Sequence, residues 1–378
     1  MNTKALAELK EQGLAAPDAP AFDWTGTPRR SRAANSRKVT AWQAFRRHRL
    51  GYSSFLLLAL LYVLCLGAEL LSNDRPLLVR YEGQTYFPLL HDYAEPTFGG
   101  DLPILADYND PYIRDRLSKG DNFAIYPPNP YSYDTLAYYA PGVHHPGEPS
   151  RHNLLGTDPT GYDILAQLIY GFRISLTFSL ALTLVGTLLG IAIGAVQGYF
   201  AGKVDLVTQR LIEVWGAMPE LYLLIIFASL FNQSFFVLFV LMTMFGWVHI
   251  SDYVRAEFLR NRQLEYVNSA RALGLSNLQI MVRHILPNSL TPVITYLPFR
   301  MSAGIMALAS LDFLGLGVSS APSIGRMLKQ GKENLDAWWI SVAAFGTLVL
   351  TMLLLTFIGD ALRDALNSHA ANRKAKAA

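Results

Sequence analysis

Long apolar runs alternate along this chain with short polar connectors and one long polar segment. A bilayer core of ordinary thickness needs about 20 apolar residues in helix. Six stretches approach that length, at 52–71, 172–196, 214–231, 235–253, 289–311 and 338–358. The third holds Pro219 and Glu220, and a minimal turn at Asn232-Gln233-Ser234 leads to the fourth. The pattern predicts an all-α, polytopic membrane protein with six transmembrane helices and both termini on one side.

Charge sets the side. Residues 1–51 carry ten Lys/Arg against four acids, with Arg46, Arg47 and Arg49 hard against the first run. The segment 73–171 carries six basic and thirteen acidic residues. Basic residues flanking a span stay cytoplasmic. Both termini and the connector 254–288, with Arg255, Arg260, Arg262, Arg271 and Arg283, are therefore expected in the cytoplasm, and 73–171 outside. Trp338 and Trp339 then fall at the outer interface, where indoles are favoured. The expected organisation is a basic N-terminal extension over 1–50, a first transmembrane helix over 51–72 and an outward-facing insertion over 73–171. A core over 172–360 and a cytoplasmic tail over 361–378 follow.

Composition agrees with a membrane protein. Of 378 residues, 51% are hydrophobic and 16% charged, against about 25% charged in an ordinary soluble chain. The one cysteine, Cys65, lies in an apolar run, which excludes an internal disulfide framework or thiolate metal cluster. The polar opening, with Pro17, Pro20 and Pro28, reads as an extension and not as a cleavable signal peptide. Residues 73–153 are dense in tyrosine, proline and acid, so only short strands, such as one near 77–81, fit between the turns. His144-His145 with Glu148 lacks a spaced partner, so no metal site is expected.

The connector 254–288 is the most informative part. Tyr266, Ala270 and Leu273 recur at helical spacing, and Ala270 and Ala272 allow close approach of another backbone. Gly274 suits a left-handed helix end, and Ser276 is placed to cap a second helix carrying Ile280, Met281 and Ile285. Pro287 cannot donate to a preceding turn and is expected to bend the chain toward the bilayer.

This stretch, from Glu265 to the Ile285-Leu286-Pro287 ending, resembles the signature loop of ABC importer permeases. Further segments are similar to the peptide-transporting branch of that family. They include Leu-Gly-Thr-Asp-Pro-Thr-Gly-Tyr-Asp at 155–163, Ser-Leu-Asp-Phe-Leu-Gly-Leu-Gly at 310–317 and Ile-Gly-Asp-Ala-Leu-Arg-Asp at 358–364. Asn-Asp-Arg-Pro-Leu-Leu-Val-Arg-Tyr at 73–81 is similar to the Yej-type permeases, which serve oligopeptides and peptide antibiotics of the microcin C kind. The likeness spans 42–366. One departure stands out: the family's acidic residue and two alanines are here Asn268, Ser269 and Ala270.

The resemblance implies a type I importer permease with an irregular periplasmic insertion. It implies two ATP-binding partner subunits, a second related permease in a heterodimer, and a periplasmic peptide-binding protein. On this basis Glu265, Ser269, Ala270, Ala272, Leu273, Gly274, Ile280, Ile285, Leu286 and Pro287 form the ATPase coupling loop. No Gly-x-x-x-x-Gly-Lys-Ser/Thr run occurs, so the chain is expected to hold no ATP, no cofactor and no catalytic residue of its own. Neither a nucleic-acid partner nor a metal is implied. Glu220, Arg300 and Asp312 fall within or near hydrocarbon depth, where a charge normally faces a polar interior; they are the candidates for the translocation path. An ion-coupled secondary transporter is the alternative function, and six spans with a coupling-type loop argue against it.

Overall fold

The computed structural model describes residues 41–136, 144–231, 234–318 and 320–377. The basic extension to residue 40 and the turn residues 232 and 233 lie outside them. Helix α1 (Ala41–Arg47) precedes α2 (Arg49–Leu66), whose first turn is capped by His48 Nδ1 accepting from the Gly51 amide at 3.2 Å. A one-turn helix, α3 (Ala68–Leu71), then passes the chain to the polar segment.

That segment is a largely irregular cap, with a few short elements folded into it. Three short strands, β1 (Leu78–Tyr81), β2 (Gln84–Tyr86) and β3 (Phe123–Ile125), form an antiparallel sheet in the order β2-β1-β3. Val79 faces Tyr86 on one side and Ala124 on the other. Helix α4 (Pro111–Leu117) closes a small core of Val79, Tyr81, Phe98, Tyr108, Ile113 and Leu117. Aromatic side chains supply the area that such short elements otherwise lack: Phe98 is edge-on to Tyr81, Tyr86 and Tyr108 within 6 Å. His145 is held by Thr157, with its Nδ1 2.9 Å from the hydroxyl.

Helix α5 (Ile164–Phe200) begins at Asp163, whose carboxylate accepts from the Ala166 amide at 2.8 Å and from Asn129 and Asn153 at 2.9 Å. Burial pushes the Asp163 carboxyl above the usual carboxylate range despite these donors. After α5 come α6 (Gly202–Gly216), α7 (Glu220–Leu230), α8 (Phe235–Gly246) and α9 (Val248–Asn261). Then follow α10 (Glu265–Ala272), α11 (Asn277–Gln279), α12 (Leu286–Phe313), α13 (Ile324–Glu333) and α14 (Trp338–Ala377).

Among the described residues, five helical runs are long and apolar enough to cross a bilayer, one fewer than the pattern predicts: Arg49–Leu66, Ile164–Phe200, Phe235–Asn261, Asn277–Phe313 and Trp338–Asn367. The stretch at 214–231 is not one helix. Pro219 takes an extended ψ of 102° and separates α6 from α7. Eleven helical residues reach only about 16 Å at 1.5 Å per residue. The proline removes one hydrogen bond and pushes the residue before it out of helical geometry.

The helices pack through small residues where they approach most closely. Gly190, Gly194 and Gly198 form a seam along α5 against α9. A Cβ at Gly190 would lie 2.6 Å from that of Ile250, and one at Gly198 would lie 2.6 Å from the Arg255 carbonyl oxygen. Backbones at this distance gain dispersion contacts that larger residues would forbid. A second core joins α2, α5, α12 and α14 around Leu176, Ile305, Ile340 and Leu355. Of the two adjacent indoles, Trp338 is exposed, but Trp339 is buried and its Nε1 donates to the Thr157 carbonyl at 3.3 Å. The second indole is thus a core residue and not an interface anchor.

Candidate functional site

The connector between α9 and α12 is a helical elbow fixed by local bonds. Helix α10 ends in a paired C-terminal turn: the Leu275 amide donates to Ala270 O at 3.2 Å and the Gly274 amide to Arg271 O at 2.9 Å. Gly274 has a φ of +78°, a conformation glycine takes without steric cost. Ser276 and Gln279 then cap α11 reciprocally, each side chain accepting from the other's backbone amide.

Beyond α11 the chain stays helical through Pro287. The helix does not stop before Pro287; it runs through to Phe313 as one apolar rod, with Ile280–Ile285 wound wider than an α-helix. The Leu286 amide donates to Met281 O, five residues back. Pro287 has no amide hydrogen, and its ring crowds the carbonyl four residues earlier. A widened turn relieves that clash without breaking the rod.

The elbow has an inner and an outer face. Val267, Ala270, Ile280, Met281 and Ile285 are buried against Ala195, Tyr199, Val254 and Phe258 of α5 and α9. Glu265, Ser269, Ala272, Leu273, Gly274 and Pro287 are exposed, and Leu286 is half-buried. The sequence-predicted set therefore divides: Ala270, Ile280 and Ile285 face the protein itself. Leu273, at 81% exposure, and Leu278, at 69%, stand outward. Leu278 escapes periodicity reasoning because it falls between the capping residues.

Tyr199, near the end of α5, was also silent in the sequence. It is 5% exposed, donates to Asn277 Oδ1 at 2.8 Å and lies under the Arg271 guanidinium, 5.4 Å from the ring centre. Its carbonyl accepts from Arg262 at 3.0 Å. Both helices of the elbow thus grip one residue of α5. Nearby, Arg255 of α9 clasps Asp205 of α6 with two bonds, and that hydrogen bonding holds the Asp205 carboxyl below the usual carboxylate range.

The three charged candidates within the spans occupy two places. Asp312, at the end of α12, accepts from the Ser323 hydroxyl that caps α13. A cavity there is lined by Asp312, Ser323, Arg326 and Lys329. Glu220 opens α7 and is exposed; Arg300 is half-buried in α12 and lies against Gly246 at the end of α8. Glu220 and Arg300 do not form an ion pair within 4 Å.

Residues 186–372 match the family model described as binding-protein-dependent transport system inner membrane component. The chain is 45% identical over 331 residues to the inner membrane ABC transporter permease protein YejE of Escherichia coli (strain K12), covering 87% of this chain and 96% of the relative. It is 43% identical over 350 residues to the peptidoglycan transport system permease protein YejE of Agrobacterium fabrum, covering 86% and 91%. To the oligopeptide transport system permease protein OppC of Escherichia coli (strain K12) it is 36% identical over 214 residues, 56% of this chain and 71% of that one. An ion-coupled secondary transporter is not favoured by these relationships. The chain belongs to the family of binding-protein-dependent transport inner-membrane components: it is a multi-pass ABC transporter permease subunit, whose ATP is hydrolysed by partner subunits.

Proposed function

We propose that this chain forms half of an inner-membrane channel that imports peptides or peptide-like compounds, peptidoglycan fragments among them. The near full-length likeness to two YejE permeases, one of them described as a peptidoglycan transporter, together with the OppC likeness, supports that substrate class. A second, related permease completes the channel, a periplasmic binding protein delivers the substrate, and two ATPase subunits drive it. Both termini face the cytoplasm, in keeping with the basic residues before the first span.

The observation that carries the coupling role is the two-faced elbow. Its inner face is locked to α5 and α9, and its outer face offers Leu273, Leu278 and the glycine turn to a partner. A rigid pair of short helices tied to two long ones suits the transfer of a partner's movement into the bundle. Glu220 and Arg300 line the translocation route, with Asp312 at its outer end. The bundle switches between inward- and outward-open states, and substrate and nucleotide shift it only through unequal affinity for the two.

The test is a pull-down of tagged chain from native membranes, with wild type compared to Gly274→Trp. Wild type is expected to recover a second permease and an ATPase, and the variant to lose the ATPase alone. Wild type emerging from mild detergent without an ATPase would overturn the reading.

A further inference from the structure

Arg300 stands roughly 20 Å from either end of α12 at the helical rise of 1.5 Å per residue, a depth at which a charge is costly. Two comparably half-buried arginines are paired: Arg173 with Glu69 at 2.9 Å, and Arg255 with Asp205. Among the described residues Arg300 has no ion pair, and its Nε is buried without a hydrogen-bond partner.

Two helix breaks meet around it. Gly246 ends α8, and a side chain there would collide with the guanidinium; a Cβ at Gly186 of α5 would come within 3.8 Å of it. Trp215, at the end of α6, donates to Met244 O at 3.1 Å and stacks on Phe245 at 5.3 Å. That contact sets the α6–α7 break beside the α8–α9 break. Glu220 opens α7 just past the first, and His249 follows the second.

The hydroxyls of Thr183, Thr187 and Thr243 are buried and unpartnered as well. Thr183 and Thr187 flank Gly186, and Thr243 precedes Gly246 by one turn. A helical threonine can satisfy its hydroxyl on the carbonyl four residues back. Thr347, Thr351 and Thr356 of α14 do so, at 2.7–2.8 Å. Thr183, Thr187 and Thr243 make no such bond, so their donors remain free for another acceptor.

We propose that Arg300, with Thr243 and the Thr183/Thr187 pair, is a mid-membrane subsite for the C-terminal carboxylate of the transported peptide. The inference rests on the peptide-importer reading and adds the chemistry of recognition to it. A guanidinium binds a carboxylate through two parallel N–H bonds, and hydroxyl donors complete the set. Every linear peptide carries one such carboxylate whatever its side chains, so a single fixed arginine suits a sequence-tolerant carrier. Charge pairing at that depth would also remove the penalty that the unpaired arginine otherwise bears.

The experiment uses the full permease–ATPase complex in nanodiscs without binding protein, with trialanine and trialanine amide as probes. Wild type is expected to bind the acid at least about tenfold more tightly than the amide. Arg300→Gln should bring the two to equality, and Arg300→Lys, which keeps the charge but loses the fork, should retain part of the preference. Thr243→Val, which removes one donor and leaves the charge, should narrow it. Recovery of the ATPase with each variant checks assembly. Equal binding of both probes by wild type, or an undiminished preference in Arg300→Gln, overturns the subsite. ATP-driven trialanine uptake by wild type, reconstituted with its binding protein, separates the two levels: uptake without carboxylate preference sinks the subsite alone, and absence of uptake sinks the importer reading with it.

Discussion

The hydroxyl of Tyr199 donates a 2.8 Å hydrogen bond to the side-chain carbonyl of Asn277. Through it the last turn of α5 is fastened to the first turn of the helix that becomes α12. Arg271, stacked on the same ring, fastens α10 there too. Removing the hydroxyl alone leaves the ring, the packing and the cation–π contact in place. A buried neutral hydrogen bond contributes about 1 kcal/mol, enough to alter the tightness of a joint without unfolding it. Tyr199→Phe is therefore expected to retain its ATPase partners while peptide uptake per ATP hydrolysed falls about threefold or more. Parallel uptake and hydrolysis assays on reconstituted complex give that ratio, and an unchanged ratio would remove Tyr199 from the coupling path.

The two faces of the elbow should respond oppositely to charge. Leu273→Asp and Leu278→Asp place a carboxylate on residues 81% and 69% exposed, so the permease should fold and insert normally but lose the ATPase in a pull-down. Ile280→Asp places the same group at a fully buried position. An unpaired buried charge costs several kcal/mol, and that variant should fail at the level of protein accumulation. Normal ATPase recovery by both leucine variants would move the docking surface elsewhere.

The comparison between α10 and α12 explains what the sequence could convey. Local chemistry was legible: Gly274 closes α10 and Ser276 caps α11, because these features depend on residues a few positions apart. Apolar length also announced most of the spans. What stayed hidden depends on distant partners or on competing local terms. Tyr199 and Asn277 are 78 residues apart, and nothing in either neighbourhood marks their bond. The widened turn before Pro287 accompanies burial of Ile280 and Ile285 against α5 and α9, partners that no local pattern names. Hydropathy alone carried the run at 214–231 across Pro219, where backbone geometry interrupts it. In the cap, the short strand near 77–81 was legible and is β1, whereas dense turn residues concealed its two partners, each three residues long.

The glycine seam offers a test of packing independent of function. At Gly190 a Cβ would stand 2.6 Å from Ile250 Cβ and 2.8 Å from the Trp247 carbonyl oxygen. Neither neighbour is a flexible side-chain end, so α5 and α9 must separate to admit a leucine. Overpacking of this kind costs about 1–3 kcal/mol. Gly190→Leu should lower the thermal midpoint of the purified permease by several degrees. Gly346→Leu, at a glycine with nothing within 4 Å, should leave it nearly unchanged. Equal midpoints for the two variants would mean that α5 and α9 do not pack at this distance.

The last relationship concerns the far end of the bundle, where Asp158 is 1% exposed and accepts five hydrogen bonds. Three come from Thr160 and Tyr162 within its own turn, one from Gln167 of α5 at 3.0 Å and one from Gln330 of α13 at 3.0 Å. The carboxylate thus closes the Thr-Asp-Pro-Thr-Gly turn and pins α13 to α5 at once. Asp158→Ala strips the acceptor from every donor and leaves the two glutamine amides buried without it; unsatisfied buried groups cost about 1–3 kcal/mol each. Gln330→Leu removes only the α13 arm, and Asp158 keeps four donors. The expected order of thermal midpoints is therefore wild type above Gln330→Leu above Asp158→Ala, with the larger step at the second substitution. Proteolysis should follow the same order in the cap, because Trp339 is bonded to the carbonyl of the adjacent Thr157. If Gln330→Leu proved as damaging as Asp158→Ala, the α13 arm alone would carry the clamp and the carboxylate would not be its hub.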